Sequence, residues 1–462
     1  MNWTVAQIVE ATRGSLLQGN LHAEVVRINT DSRQAAQGDC FVALAGENFD
    51  GHDFLEATVT RGASALVVRE GSGFVPAPGE VAIVAVPDTL YALGHLARFH
   101  RQQYTLPVVG ITGSNGKTSS KEMLARILEQ DRNVLKNKGN FNNLVGVPLT
   151  LLQLNPQHQV AVVEMGINVP GEMARLVEIS RPTVGLITNI QPAHLQGLKS
   201  ADAILAEKGK LLQSLGPEGI AIINLDDERL PGFAKGLAAR QITYSVTDPS
   251  AEVHVTGKVH HDDRGSTFKL ALRGENIDVF LPVLGMHQAR NAVAAAAAAY
   301  ALGVSASAVA RGLASHLPVT QRMQVQQLAD GTRIVNDTYN ANPVSVVAAV
   351  EAVASVRGAR PFMVVLGEMR ELGERSAVLH HQVGEKVGLL GVDRLITLGE
   401  MAEEISKGAQ LAGMRPEQCC HAQDHGEVVA LLRENWQSGA WILIKGSRGM
   451  RMEQVVEGIL AR

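Results

Sequence analysis

The sequence predicts an α/β protein of three domains, on three observations. Strand-length apolar runs alternate with helix-length amphipathic segments, the connections between them are short, and 462 residues exceed what one core organises. Such alternation implies parallel sheet covered by helices on both faces.

In the first block, residues 1–80, apolar residues from Val25 to Leu44 bracket a turn at Gln37-Gly-Asp39. A helix-like stretch and the strand Ala65-Leu-Val-Val68 follow. The block ends at Glu70-Gly-Ser-Gly-Phe-Val-Pro-Ala-Pro-Gly79, a linker by composition, and reads as a small α/β domain. The second block, 81–317, repeats strand, helix, strand: Val81–Val86, Asp88–Tyr104, Val108–Thr112, a glycine-rich loop with its helix, then Val160–Glu164 and Val184–Asn189. Between Ala251 and Leu284 the period changes to two around Asp262-Asp-Arg-Gly265, which predicts an antiparallel addition, and an alanine-rich helix closes the block. The third block, 318–462, offers buried strands at Phe362–Leu366, Arg394–Leu398 and Trp441–Ile444 separated by amphipathic segments. It reads as a second, Rossmann-like doubly wound domain.

Bulk composition narrows the function. Apolar content of 45% supports ordinary buried cores, and a net charge of −4 without a basic run argues against a nucleic-acid groove. The three cysteines, at 40, 419 and 420, build neither a disulfide framework nor a Cys-x-x-Cys knuckle, which fits a reducing cytoplasm. No signal peptide is visible in the first residues. The longest apolar run, Ala292–Val304, is too short for a bilayer, so no transmembrane segment is expected.

The loop carries the chemistry. Val108-Val-Gly-Ile-Thr-Gly-Ser-Asn-Gly-Lys-Thr118 runs an apolar strand into glycines that permit φ > 0, so successive N–H groups can face one concavity and hold phosphate oxygens. A helix from about Lys117 to Glu129 adds its positive end there. Lys117 would reach β and γ phosphates and Thr118 a Mg2+ ion. The spacing is Thr-Gly-x-x-Gly-Lys-Thr, a variant of the P-loop pattern, so the second block is a P-loop, ATPase-like domain. Other polar sets leave two readings open. Glu164, at the end of a buried strand, is either a metal or phosphate contact or an acid paired to a neighbour. Asn140-Phe-Asn-Asn143 suits a sugar or a turn. His194 and Lys208 suit a site or a surface. His287 and Asn291 share a helix face, where capping or packing is the alternative. Asn336-Asp-Thr-Tyr-Asn-Ala-Asn-Pro343, Gly367–Gly373 and Lys445-Gly-Ser-Arg448 place polar and basic groups after strands, suited to closing over an anionic ligand.

Together these segments resemble the Mur ligases over essentially the whole chain. The resemblance rests on Thr112-Gly-Ser-Asn-Gly-Lys-Thr118, Asn140-Phe-Asn-Asn143 with Gly146-Val-Pro148, Glu164-Met-Gly166, and the His194 and Lys208 pair. Asp337-Thr-Tyr-Asn-Ala-Asn-Pro343, Leu366-Gly-Glu-Met-Arg-Glu-Leu-Gly373 with His380 beyond it, and Lys445-Gly-Ser-Arg448 are similar to the branch whose acceptor is D-alanyl-D-alanine. The Asp-Asn-Pro-Arg string of the diaminopimelate-adding relatives is absent, and Glu368 stands where many relatives have Asp.

The resemblance implies a cytoplasmic, monomeric ligase that uses ATP and two Mg2+ ions to add D-alanyl-D-alanine to UDP-N-acetylmuramoyl-tripeptide through an acyl phosphate. It implies that Thr112, Gly113, Ser114, Asn115, Gly116, Lys117 and Thr118 hold ATP with Asn291, Asp337 and Arg322. Glu164, His194 and, if carbamylated as in several relatives, Lys208 would join Thr118 around metal; Glu164, His194 and Lys208 with Lys117 would form the catalytic set. Ser32, Arg33, Asp50, Gly51, His52, Asn140, Asn142 and Asn143 would bind the uridine precursor. Tyr339, Asn340, Asn342, His380, Lys445, Ser447 and Arg448 would meet the dipeptide or close the site, by a rigid-body movement beyond about residue 318. A relative adding a single amino acid and a folylpolyglutamate synthase remain as alternatives, the first-block segments arguing against the latter.

Overall fold

The computed structural model describes residues 3–46, 48–73, 81–191 and 200–461. It contains sheets of five, nine and six strands, plus a two-stranded ribbon. The chain divides into two compact units, one of residues 1–110, 132–167 and 171–183, the other holding the remainder.

In the first unit the five-stranded sheet runs Ser15–Gln18, Ala82–Val86, Ala65–Arg69, Asp39–Val42, Arg27–Asn29. Only the Ser15–Gln18 edge is antiparallel. Ala82–Val86 is therefore not the opening strand of the middle block, as the sequence suggested, but a member of this sheet, in register from Ala65↔Ala82 to Arg69↔Val86. All five of its residues are buried, as two neighbours and a helix layer require. The Gly- and Pro-rich linker thus joins two neighbouring strands of one sheet; its residues 74–80 lie outside the described residues. Helix Thr89–Arg101 starts where Asp88 accepts from the Tyr91 N–H at 2.9 Å, and its Leu93 and Leu96 enter the core with Trp3, Val67 and Val84. Strand Val160–Glu164 pairs in parallel with Val134–Lys136 in the same unit.

The strands of the nine-stranded sheet that lie in the second unit run parallel from Val184–Ile187 through Ile220–Asn224 and Arg240–Ser245 to Val253. The sheet then becomes antiparallel over Val253–Asp262, Gly265–Leu272 and Glu275–Leu281, where the period-two pattern placed the addition. Helix Met286–Ala301 buries every residue from Ala292 to Ala299 and packs on helix Lys117–Leu128. Methyl-sized side chains allow that close approach.

The six-stranded sheet runs Gln324–Gln327, Arg333–Asp337, Trp441–Lys445, Phe362–Gly367, Arg394–Leu398, Cys419–Ala422, antiparallel only at its first edge. Two apolar clusters cover its two faces, one with Val335, Val364 and Leu443, the other with Ile334, Val365 and Ile444. Period-two alternation thus sends successive residues to opposite cores. Strand order reverses around Trp441–Lys445, so Asp337, Lys445 and Gly367 end side by side at the carboxyl edge, where doubly wound sheets take ligands. Among the described residues no helix is long and apolar enough to cross a membrane.

Candidate active site

The loop after Val108–Thr112 takes the shape its glycines permit. Gly113 (φ 146°) and Gly116 (φ 84°) are both left-handed. A Cβ on Gly113 would strike Thr188 Oγ1, and one on Gly116 would strike Asn291 Oδ1. Glycine is required here for backbone geometry and for space together. Helix Lys117–Leu128 starts at Gly116 with no side-chain cap, leaving its N-terminal dipole end to an anion.

The expectation that successive loop N–H groups all face a phosphate needs correction. Ser114 N–H donates to Asn189 O at 2.9 Å and Asn115 N–H to Asn189 Oδ1 at 3.0 Å. Thr188 Oγ1 and Asn189 Nδ2 both donate to Asn115 O, while Ser114 Oγ and the Gln191 backbone exchange hydrogen bonds at 2.8 and 2.9 Å. The first half of the loop is fastened to residues 188–191. Sequence reasoning gave Thr188, Asn189 and Gln191 no role. Their signal was a polar run directly after the buried strand Val184–Ile187.

Lys117 lies over this loop, donating to Gly113 O at 2.7 Å and Ser114 O at 3.3 Å. Two third-block side chains reach the same place. Arg322 Nη2 donates to Thr118 Oγ1 at 3.0 Å, and Asn342 Nδ2 to Asn115 Oδ1 at 2.7 Å. Arg322 is aimed by a turn in which Gln321 (φ 62°) and Met323 (φ 49°) are left-handed without being glycine, at about 1–2 kcal/mol each. The turn is held by Tyr339 N–H on Gln321 O at 3.1 Å and Met323 N–H on Asp337 Oδ1 at 3.0 Å. Tyr339 lies under the Arg322 guanidinium, 4.1 Å from centroid to Cζ, a cation–π contact. Its face thus serves Arg322 in this structure.

At the neighbouring strand ends Lys445 Nζ donates to Asp337 Oδ2 at 2.6 Å and to Asn340 O at 2.8 Å. With Met323 on its other oxygen, Asp337 joins the two strands and the Arg322 turn. Ser447 Oγ accepts from Arg370 N–H at 2.8 Å, and Arg448 pairs with Glu453 at 3.0 Å and touches Gln321 Oε1 at 3.3 Å. His380 is buried and spans Met369 N–H (2.9 Å) and Ser376 O (2.8 Å). Both its nitrogens are engaged inside the domain, so its geometry is that of an internal brace.

Lys208 is buried, and burial first, then the Lys117 charge, pushes its amine well below the usual lysine range, with Glu207 opposing. His194 lies outside the described residues.

In the first unit Glu164, 1% exposed, accepts from Asn142 Nδ2 at 2.8 Å, and Asn137 clasps its backbone on both sides at 2.9 Å. Asn143 Oδ1 caps the turn at Val145 and Gly146, and Asn140 O accepts from Asn142 N–H at 2.7 Å. The asparagines thus orient the acid and its loop. Asp50 Oδ1 takes His52 Nδ1 at 2.6 Å, and His52 Nε2 takes Arg69 N–H at 2.9 Å, which fixes the neutral tautomer with Nδ1 protonated. Gly51 has Leu44 backbone where a Cβ would stand. Asp31 holds the Arg33 guanidinium by two 2.8 Å bonds, which draw its carboxyl down to about 2, and Ser32 O accepts from Arg61.

Residues 24–101 match the Mur ligase family catalytic domain, 111–299 the Mur ligase middle domain, and 321–448 the Mur ligase glutamate ligase domain. The UDP-N-acetylmuramoyl-tripeptide–D-alanyl-D-alanine ligase of Escherichia coli K12 is 36% identical over 99% of this chain and 98% of its own length. A crystal structure of MurF from Acinetobacter baumannii superposes with a TM-score of 0.91 at 32% identity, covering 100% of this chain and 99% of that one. MurF from Thermotoga maritima, solved in complex with ADP, gives 0.82 at 27% identity over 94% of this chain and 96% of that one. Full-length identity, three matched domains in order and a phosphate loop of the required geometry agree: the chain belongs to the Mur ligase family.

Proposed function

We propose that this protein joins D-alanyl-D-alanine to UDP-N-acetylmuramoyl-tripeptide at the expense of ATP, producing the pentapeptide precursor of peptidoglycan. The observation that carries the reading is the convergence of Lys117, Thr118 and Arg322 on one loop, in a chain matched end to end by relatives named for that reaction. A tripeptide carboxylate oxygen attacks the γ phosphorus and ADP leaves. The dipeptide amine then attacks the acyl carbon of the resulting acyl phosphate, inorganic phosphate departs, and the amine proton passes to solvent. Both partners in the first step are anions. Lys117 turns from its carbonyl contacts to the β and γ oxygens, and Arg322 turns from the Thr118 hydroxyl to the transferring group, so that charge is met by fixed cations. The central domain, 81–317 with its first strand ceded to the N-terminal sheet, holds ATP. The N-terminal domain takes the uridine end through Ser32, Arg33 and the Asp50–His52 turn, and the third, from 318, takes the dipeptide.

Magnesium fits the donor set. Mg2+ bound to a nucleotide uses one or two protein oxygens, with phosphate and water completing the shell. Thr118 offers a buried hydroxyl oxygen at the loop. Thr118 would hold it, with Lys208 if carbamylated; when bound it lowers the repulsion between carboxylate and phosphate. A neutral amine is the form that takes up carbon dioxide, and the surroundings of Lys208 favour that form.

The test incubates the protein with ATP, Mg2+ and UDP-MurNAc-tripeptide, offering D-alanyl-D-alanine or single amino acids in parallel, and follows product mass. Product with the dipeptide alone supports the reading; product only with a single amino acid, or phosphate release without acceptor, overturns it.

A further inference from the structure

Asn342 does two things at once. Its Oδ1 accepts from Ser345 N–H at 2.9 Å and Ser345 Oγ returns a bond to Asn342 N–H at 3.0 Å, a capping box that starts helix Pro343–Val356. The cap fixes which end of the amide is oxygen, so the Nδ2 is the group that donates to Asn115 Oδ1 at 2.7 Å. Asn115 is itself held on its other sides: Nδ2 donates to Gln191 Oε1 at 2.7 Å, N–H to Asn189 Oδ1 at 3.0 Å, and its carbonyl accepts from Thr188 and Asn189. An unbroken run of hydrogen bonds thus joins the end of strand Val184–Ile187, the phosphate loop, and the first turn of a third-domain helix. That helix begins at Pro343, six residues after Asp337, in the segment that also supplies Tyr339 beneath Arg322.

We infer that Asn342 is a positioning residue whose amide transmits the state of the phosphate loop to the third domain, so that nucleotide on the loop fixes the helix that carries the acceptor-side segment 337–343. The inference rests on the ligase reading for what is positioned, but not for the link itself. Asn115 and Asn342 are coupled directly, with Asn115 Nδ2 also reaching Asn342 Oδ1 at 3.5 Å, and their other hydrogen bonds run to their own domains. A rotation of either amide breaks at least one further bond, which makes the link all-or-none.

Asn342→Asp separates the two jobs. Aspartate caps a helix as well as asparagine does, so the fold is kept; it has no donor for Asn115 Oδ1 and sets a carboxylate against that oxygen. Hydrogen exchange of the 338–350 backbone is measured with and without a non-hydrolysable ATP analogue, alongside steady-state turnover and melting temperature. The inference expects the analogue to slow exchange in the wild type and not in N342D. It also expects N342D to keep its melting temperature while kcat falls about tenfold or more, with the KM for ATP changed less than kcat. It expects N342D combined with Asn115→Ala to be no worse than the poorer single variant. Equal protection in wild type and N342D, or losses that multiply in the double variant, overturns it. If the wild type forms no product with any acceptor, the ligase reading falls, and the exchange measurement decides the link on its own.

Discussion

His287 offers a quantitative test of how the start of the alanine helix is built. Its Nδ1 is buried without a hydrogen-bond partner among the described residues. Burial first, then Lys445, Arg290 and His261, push the imidazole from 6.5 down to about 4, with Asp337 opposing. The unfolded chain therefore binds a proton near pH 6.5 that the folded protein refuses until about pH 4. The contribution to stability is fully present above pH 6.5 and is lost as pH falls through that window. At about 1.4 kcal/mol per pH unit the ceiling is about 3 kcal/mol. Because the residue as a whole is only half-buried, solvent screening lowers the expected total to about 2 kcal/mol. Replacing His287 by Gln keeps a polar side chain and removes the titration. Calorimetric melting of both proteins at about pH 7.5 and about pH 5 should show the wild type losing about 1 kcal/mol more than the variant, and the other histidines cancel in the difference. Coincident pH dependences for the two proteins would refute the claim that the helix start holds this imidazole neutral.

Three further outcomes follow from the same geometry. Lys117→Ala should cut turnover by about 100- to 1,000-fold, the cost of losing one charge-stabilising donor, while circular dichroism stays that of the wild type; retained activity removes the phosphate role. Gly116→Ala places a side chain at φ 84° and against Asn291, so it should lose about 1–2 kcal/mol of stability together with nucleotide affinity; unchanged nucleotide binding by calorimetry would argue that the cradle lies elsewhere. Carbon-13 NMR with labelled bicarbonate should show a carbamate resonance in the wild type that is absent from Lys208→Arg; identical spectra would leave Lys208 unmodified.

The phosphate loop was legible because its demand is local. Glycines at 113 and 116 are required by φ and by Thr188 and Asn291 at once, and such positions leave a mark in the sequence itself. The third domain was legible because its central strands Phe362–Gly367 and Trp441–Lys445 are buried and apolar on both faces, as a doubly covered parallel sheet requires. Sheet membership was not. Ala82–Val86 carries the same apolar signal whether it opens one sheet or completes another, and the linker before it looks identical in both cases. Side chains that brace the site were also hidden. His52, His380 and Asp337 enter as ligand contacts through the family resemblance, and no sequence pattern announced the hydrogen bonds by which each also holds its own domain together. The Arg322 turn left no trace, since Gln321 and Met323 adopt left-handed backbone that their identities disfavour.

Those engaged side chains bear on how ATP is recognised. A loop whose N–H groups awaited phosphate would have to be ordered by the ligand, and each residue fixed at that moment costs about 1–2 kcal/mol of backbone entropy. Here Thr188, Asn189 and Gln191 order residues 114 and 115 during folding. The entropy is spent in folding, and binding energy is free to do something else. What it can do is move Lys117 off the Gly113 and Ser114 carbonyls and Arg322 off Thr118. Both are long, flexible cations, and the Gly113, Ser114 and Thr118 oxygens named here are neutral, so exchanging these contacts for phosphate trades a neutral acceptor for a charged one. The rigid part of the site therefore supplies shape and the mobile part supplies charge, which is the division that transfer of a phosphoryl group between two anions requires.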